Sequence, residues 1–174
     1  MALREIRTFP DPVLREKALP VTRFDDELKK LARDMAETMY AAPGVGLAAN
    51  QIGVPLQLIV IDVRGDEGEP STGLVQAVNP RVVAGDGACV SEEGCLSMPE
   101  ERADVERYCT VVVEAQDLDG APIKFEVEGL AAVAFQHEID HLNGVLFMDH
   151  LSPLKRAAMK KRLRKLKLLA AEAG

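Results

Sequence analysis

Residues 129–144 read Gly-Leu-Ala-Ala-Val-Ala-Phe-Gln-His-Glu-Ile-Asp-His-Leu-Asn-Gly. The first two turns are apolar on every side, which predicts a helix lying inside a core rather than on a surface. Asn143 and Gly144 close it as C-terminal capping residues. Polar groups in such a helix are costly unless something pairs them. Here they come as His137-Glu138-Ile139-Asp140-His141, of the form HExxH. Residues four apart lie on one helical face, so the two imidazoles can point at one metal ion. Glu138 is turned by about 100° from His137 and can reach a water on that ion rather than the ion itself.

The segments around this helix set the fold class. FDDELKKLARDMAETMY (24–40) places Leu28, Leu31, Met35 and Met39 at helical spacing, with Asp25 as N-cap and Pro43-Gly44 as terminator. PLQLIVIDV reads as a strand, and RGDEGEPSTG as an exposed loop. LVQAVNPRVVAG reads as strand, break, strand, and CVSEEGCLSMP as a short stretch with strand-like ends. RYCTVVVEAQD and APIKFEVEG are strands joined at Leu118-Asp119-Gly120. A last helix is expected from about Pro153 to Ala171. Strands fill the middle of the chain and helices flank them, an α+β pattern rather than alternating βαβ. The expected fold is antiparallel strands packed around a central buried helix carrying HExxH, with a C-terminal helix. One domain over 1–174 is expected, with 153–174 as a basic C-terminal helix.

The chain has 174 residues and a net charge of −7. From Pro153 onward there are eight basic residues (Lys155, Arg156, Lys160, Lys161, Arg162, Arg164, Lys165, Lys167) against one acid, Glu172. Blocks of this kind mark interaction segments. Leu154, Met159, Leu163, Leu166 and Leu169 approximate one apolar stripe on that helix. No apolar run is long enough to span a bilayer, and MALREIRTFPDP has no apolar stretch of the secretory kind. A cytoplasmic location is expected, without a membrane partner. The three cysteines, Cys89, Cys95 and Cys109, argue against a disulfide framework and leave a thiolate available as a metal ligand.

HExxH does not by itself name a third ligand. In the extended protease pattern a third His follows Gly144 by three positions, but this chain has Phe147 there. The region where other proteases carry a glutamate is basic. His150 and Asp149 follow the helix break and stay open as candidates. Upstream, Glu93-Gly94-Cys95-Leu96-Ser97 offers Cys95, a good partner for two imidazoles on a first-row metal. Cys89 and Cys109, in strand-like surroundings, read as small buried hydrophobes. The loop Gly44-Val45-Gly46-Leu47-Ala48-Ala49 matches a dinucleotide fingerprint in form, but it follows a helix rather than a strand, so that reading fails. It ends in Asn50-Gln51, whose Gln51 amide can donate hydrogen bonds.

The segments GVGLAANQ, EGCLS and QHEIDHL, in this order, resemble the three signature motifs of the peptide deformylases, most closely the bacterial form. The likeness extends to FPDPVLR near the start and HLSPLKR in the tail. It implies removal of the formyl group from the N-terminal formyl-methionine of nascent polypeptides, with release of formate. It selects Cys95 as third ligand beside His137 and His141, with Glu138 as general base. It implies Gln51 and the backbone N–H of Leu96 as oxyanion donors. Members of the family typically use Fe(II), with zinc, nickel or cobalt as substitutes. Gly44 and Gly46 are expected to let the peptide backbone come close, and Val45, Leu96, Arg102, Val133 and Ala134 to line the methionine pocket. Glu93 is a candidate to fix Arg102 or its loop. The basic tail suggests docking on ribosomal RNA near the nascent-chain exit; DNA is not an expected partner. Two rivals remain, a metallopeptidase of internal bonds and an inactive relic that binds metal or the ribosome. Phe147 counts against the first, and intact Gln51, Cys95 and Glu138 against the second.

Overall fold

The computed structural model describes residues 2–65 and 71–173. Helix α1 spans Asp26–Ala41, and the side chain of its N-cap Asp25 accepts from the Leu28 amide. The chain then turns through Pro43 into a short strand β1, Gly46–Ala48, and a 3-10 turn at Ala49–Ile52. Strands β2 (Leu58–Ile61), β3 (Val75–Asp86), β4 (Cys89–Cys95), β5 (Met98–Arg107), β6 (Thr110–Gln116) and β7 (Pro122–Glu128) follow. Helix α2 covers Gly129–Leu142 and helix α3 Pro153–Ala173.

The strands form a five-stranded antiparallel sheet in the order β1-β2-β3-β6-β7 and a two-stranded sheet of β4 and β5. Strand β2 explains the geometry of the core. All four of its residues are fully buried, because Leu58 and Val60 pack toward Leu28, Met35 and Met39 of α1, while Ile59 and Ile61 pack toward Phe135, Ile139 and Leu142 of α2. A strand covered on both faces reads as a continuous apolar run. Strand β6 alternates instead, with Val111, Val113 and Ala115 turned into the α2 side. The buried helix is thus held against the large sheet, as its composition predicts, and the antiparallel sheets with flanking helices are the expected α+β architecture.

The interior of the molecule corrects several local expectations. The loop after α1 contains β1, paired with β2 through Leu47↔Val60. Strand β3 runs through NP without ending; it absorbs the break as a register shift between Val78 and Arg81, with Asn79 at φ 50°. Strand β5, in the polar stretch MPEERADVER, has no counterpart in the sequence reading. Residues 66–70 of the expected loop RGDEGEPSTG lie outside the described residues; its flanks are tied by Val63 donating to Thr72 Oγ1. The expected apolar stripe on α3 holds only for Met159 and Leu163, which join Phe9, Phe147 and Met148; Leu154 is 82% exposed.

The cysteines also differ from expectation. Cys89 and Cys109 are joined in a disulfide, with Cα atoms 5.1 Å apart, and are not separate buried thiols. The cause is the path of the ribbon. The pairs Asp86↔Thr110 and Cys89↔Arg107 keep one antiparallel register across the corner where β3 passes to β4 and β5 to β6. Cys89 and Cys109 are diagonal neighbours on that ribbon, within reach of each other. A spacing of 20 residues in the chain carries no hint of this.

Candidate metal centre and active site

Three elements meet at the HExxH face of α2. Helix α2 brings His137 and His141, the turn at the tip of the β4–β5 hairpin brings Cys95 and Leu96, and the 3-10 turn after β1 brings Gln51. The Nε2 atoms of His137 and His141 lie 3.2 Å apart, and Cys95 Sγ lies 3.3 Å from His141 Nε2. All three ligand atoms fall within 4.8 Å of one another. Two nitrogens and a sulfur around a tetrahedral first-row ion would sit about 3.3–3.6 Å apart, given bonds of about 2.0–2.3 Å. The donor set therefore fits a divalent metal ion.

The charges around the trio agree. Burial works against a charge on His137, yet Glu138, Cys95 and Glu93 outweigh it and push its pKa well above the ordinary value. The neighbours that favour a proton there favour a metal cation for the same reason. Burial, reinforced by His137 and by Arg107 and Arg15, pushes His141 well below its ordinary value, so it is a neutral imidazole. Burial also opposes ionisation of Glu93, but hydrogen bonds from Arg107 and His137 prevail and hold its carboxyl down to about 2. An ionised Glu93 must accept at 2.9 Å from Nδ1–H of His137. With Nδ1–H committed to Glu93, Nε2 is the atom at which a metal cation would take the place of the proton.

Glu93 is clamped in turn by Arg107, which donates through Nε (2.8 Å) and a terminal nitrogen (2.9 Å). The other terminal nitrogen donates to Asp140 at 2.7 Å, and Asp140 also meets His150 Nε2 at 2.9 Å. Two open candidates find other partners here. Glu93 fixes Arg107 and His137, not Arg102, whose partner is Glu92 at 2.7 Å on the exposed face of the hairpin. His150 stands in the Arg107–Asp140 network and is not grouped with His137 and His141. Arg107 escaped the sequence reading, although a buried Glu93 demands a cation. No local signal marks Arg107, since β5 reads as a polar stretch and only its register turns Val105 and Arg107 inward.

The base and the amide are equally well placed. Glu138 is buried, and burial pushes its carboxyl up to about 7 against the pull of His137 and Arg107. Its Oε1 has no hydrogen-bond partner among the described residues. Its Oε2 rests on Gly46, where an added Cβ would come within 2.5 Å of it. Gln51 accepts at Oε1 from the Ala48 amide (2.9 Å). Its Nε2 therefore faces the other way, donating to Ser97 Oγ (3.0 Å) and lying 3.6 Å from Cys95 Sγ. Neighbouring Asn50 donates to the carbonyl oxygens of Glu16 and His141, stitching the turn to the end of α2. Gly44 lies against Leu96, with an added Cβ 2.9 Å from its Cδ1, and Val45 beside it is exposed. Val133 and Ala134 lie on α2 one turn before the His137–His141 pair.

The sequence model of the family described as polypeptide deformylase matches residues 3–157. The chain is 52% identical over 165 residues to a peptide deformylase of Desulfotalea psychrophila, covering 95% of this chain and 97% of that protein. It is 52% identical over 167 residues to one of Brucella suis, covering 95% and 94%. Among solved structures, a peptide deformylase from Legionella pneumophila superposes with a TM-score of 0.88 at 49% identity, covering 98% of each chain. One from Ehrlichia chaffeensis, in complex with actinonin, gives 0.90 at 36% identity, covering 95% and 98%. The chain belongs to the polypeptide deformylase family.

Proposed function

We propose that this protein is a metal-dependent hydrolase that removes the formyl group from the N-terminal formyl-methionine of nascent polypeptides. The observation that carries the reading is the convergence of Cys95, His137 and His141 on one point, with Glu138 and Gln51 beside them in a chain of this family. These three ligands would hold one divalent ion; Fe(II) is the proposed occupant, with zinc, nickel or cobalt as substitutes. Bound there, it supplies Lewis acidity, acidifying a water and polarising the formyl oxygen.

The chain's own residues then have separable tasks. Glu93 holds the His137 ring by its Nδ1–H, so the ring would be kept oriented for a metal at Nε2. Glu138 takes the proton of the attacking water and returns it to the leaving amine. The Gln51 amide, oriented by Ala48, and the Leu96 N–H donate to the oxyanion as charge develops on it. The formyl carbon bears only hydrogen beside its oxygen and nitrogen, so the reacting end needs little room. Gly44 and Gly46 let Leu96 and Glu138 seat directly against the strip of backbone along which the peptide is to lie, while Val45, Leu96, Val133 and Ala134 offer apolar surface to the methionine side chain. Arg102 is exposed at the hairpin and takes a part outside the chemical centre.

The exposed cations of α3 are proposed to dock the enzyme on ribosomal RNA. The catalytic reading is tested by formate release from a formyl-methionyl peptide, using iron-loaded protein without oxygen, beside a control peptide offering only internal bonds. Formate release without internal cleavage is expected. Cleavage of internal bonds, or no formate, would overturn it.

A further inference from the structure

The corner of the bent ribbon carries a group that deformylation does not use. Residues 87–88 and 108–109 are the two crossings between the large sheet and the β4–β5 hairpin. The Cys89–Cys109 disulfide spans them. Gly87 makes room for it, since a Cβ there would lie 2.9 Å from Cys109 Sγ. Beyond the corner, the hairpin carries Glu93, Cys95 and Leu96. Polar contacts among the described residues also hold the bend. The Gln136 side chain bonds both the N–H and the carbonyl of Tyr108 at 3.0 Å, Arg107 bridges Glu93 and Asp140, and the Cys109 amide donates to Asp86. Cys89 is exposed and Cys109 half-buried, so solvent thiols reach the bond at Cys89.

We propose that Cys89–Cys109 is a site of exchange with small thiols of the glutathione class, and that its redox state sets how firmly the hairpin holds the metal centre. A thiolate attacks Cys89 Sγ and the S–S bond breaks. A mixed disulfide forms at Cys89, and Cys109 leaves as a thiolate that takes a proton from water. A second thiol displaces Cys89 and departs as the low-molecular-weight disulfide. Two thiols are oxidised, and the protein takes up two electrons and two protons. Oxidised glutathione drives the reverse reaction. Reduction frees the corner and leaves Arg107 and Gln136 as its main ties. The consequence for the metal rests on the reading of Cys95 as a ligand.

The zinc-loaded protein, equilibrated in glutathione buffers of graded ratio, is alkylated and weighed. Thermal melting, amide exchange in β4–β5 and transfer of zinc to a chelator are followed on the same samples. Two thiols besides Cys95 should appear cooperatively as the buffer becomes reducing. Melting should fall by about 5–10 °C, as expected for opening a loop of this length in a domain of this size. Exchange in the hairpin and zinc transfer should both accelerate. The double variant Cys89→Ser/Cys109→Ser should behave as the reduced protein at every ratio, which separates the disulfide from any effect of glutathione on zinc. The proposal is overturned if Cys89 and Cys109 stay reduced at every ratio, or if the two redox forms share one melting temperature, one exchange pattern and one rate of zinc transfer. Faster exchange without faster zinc transfer would keep the exchange site and refute its control of the metal. Failure to bind zinc at all would instead fall on the Cys95–His137–His141 reading.

Discussion

At the residue scale, the base and the glycine beneath it form one unit. Glu138 Oε2 occupies the space that a side chain at residue 46 would need, so the carboxylate is positioned by the absence of a Cβ. Two substitutions probe this from opposite sides. Glu138→Ala removes the proton acceptor and leaves all three ligands, so metal content should stay at one equivalent. Turnover should fall about 10²–10⁴-fold, the usual range for loss of a general base. Gly46→Ala keeps the carboxylate but displaces it, and should lower kcat at least tenfold with metal content unchanged. Formate-release kinetics alongside metal analysis checks both. Near-normal turnover by Glu138→Ala would remove the general-base assignment.

At the scale of elements, legibility followed locality. Helix α2 was readable because its apolar turns, its i,i+4 histidines and its Asn-Gly end are all local features, and the helix ends where they end. Strand β2 was readable as an apolar run. Strand β5 was not, because Glu100, Arg102, Asp104 and Glu106 are exposed on it while its buried side includes the charged Arg107. The Glu93–Arg107 clamp and the disulfide were hidden for the same reason, since both depend on strand register rather than on spacing in the chain. The 3-10 turn at Phe147–His150 also relies on a distant partner. Its Asp149 accepts from Arg15 and from the Leu146 amide. Burial disfavours its charge, but these donors prevail and hold its pKa below the ordinary value. A group depressed in this way contributes stability above its unfolded pKa and loses it as pH falls through the folded value. Asp149→Asn should therefore melt lower than the parent chain at neutral pH, with a stability loss of about 1–2 kcal/mol once exposure of the pair is allowed for. The gap should hold down to about pH 5 and close below about pH 4. A gap independent of pH would mean that packing, not charge, holds this turn.

At the scale of the whole molecule, one helix carries the basic residues gathered after Pro153, in a chain that is otherwise acidic. The expected basic tail is a helix, but it is not a detachable one. Met159 and Leu163 are buried with Phe9, Leu14, Phe147 and Met148, so deletion from Pro153 onward would strip a core and confuse unfolding with lost binding. Several cations are also engaged at home. Arg162 pairs with Glu101, Lys167 donates to the Thr8 carbonyl, and the Arg164 guanidinium lies 5.8 Å from the centre of the Phe9 ring. Lys155, Lys161 and Lys165 are exposed and are the groups to test. Replacing all three by Gln should leave melting and formate release unchanged, because none reaches the core or the metal trio. Association with purified ribosomes should weaken. If contact is through phosphates, each cation removed takes away about one unit of slope in the salt dependence of binding, so the plot of affinity against salt should flatten by about two to three. Unchanged co-sedimentation at low salt would refute docking through this helix and leave its basic face as a solvated surface. An equal loss at every salt concentration would place the contact on uncharged groups instead.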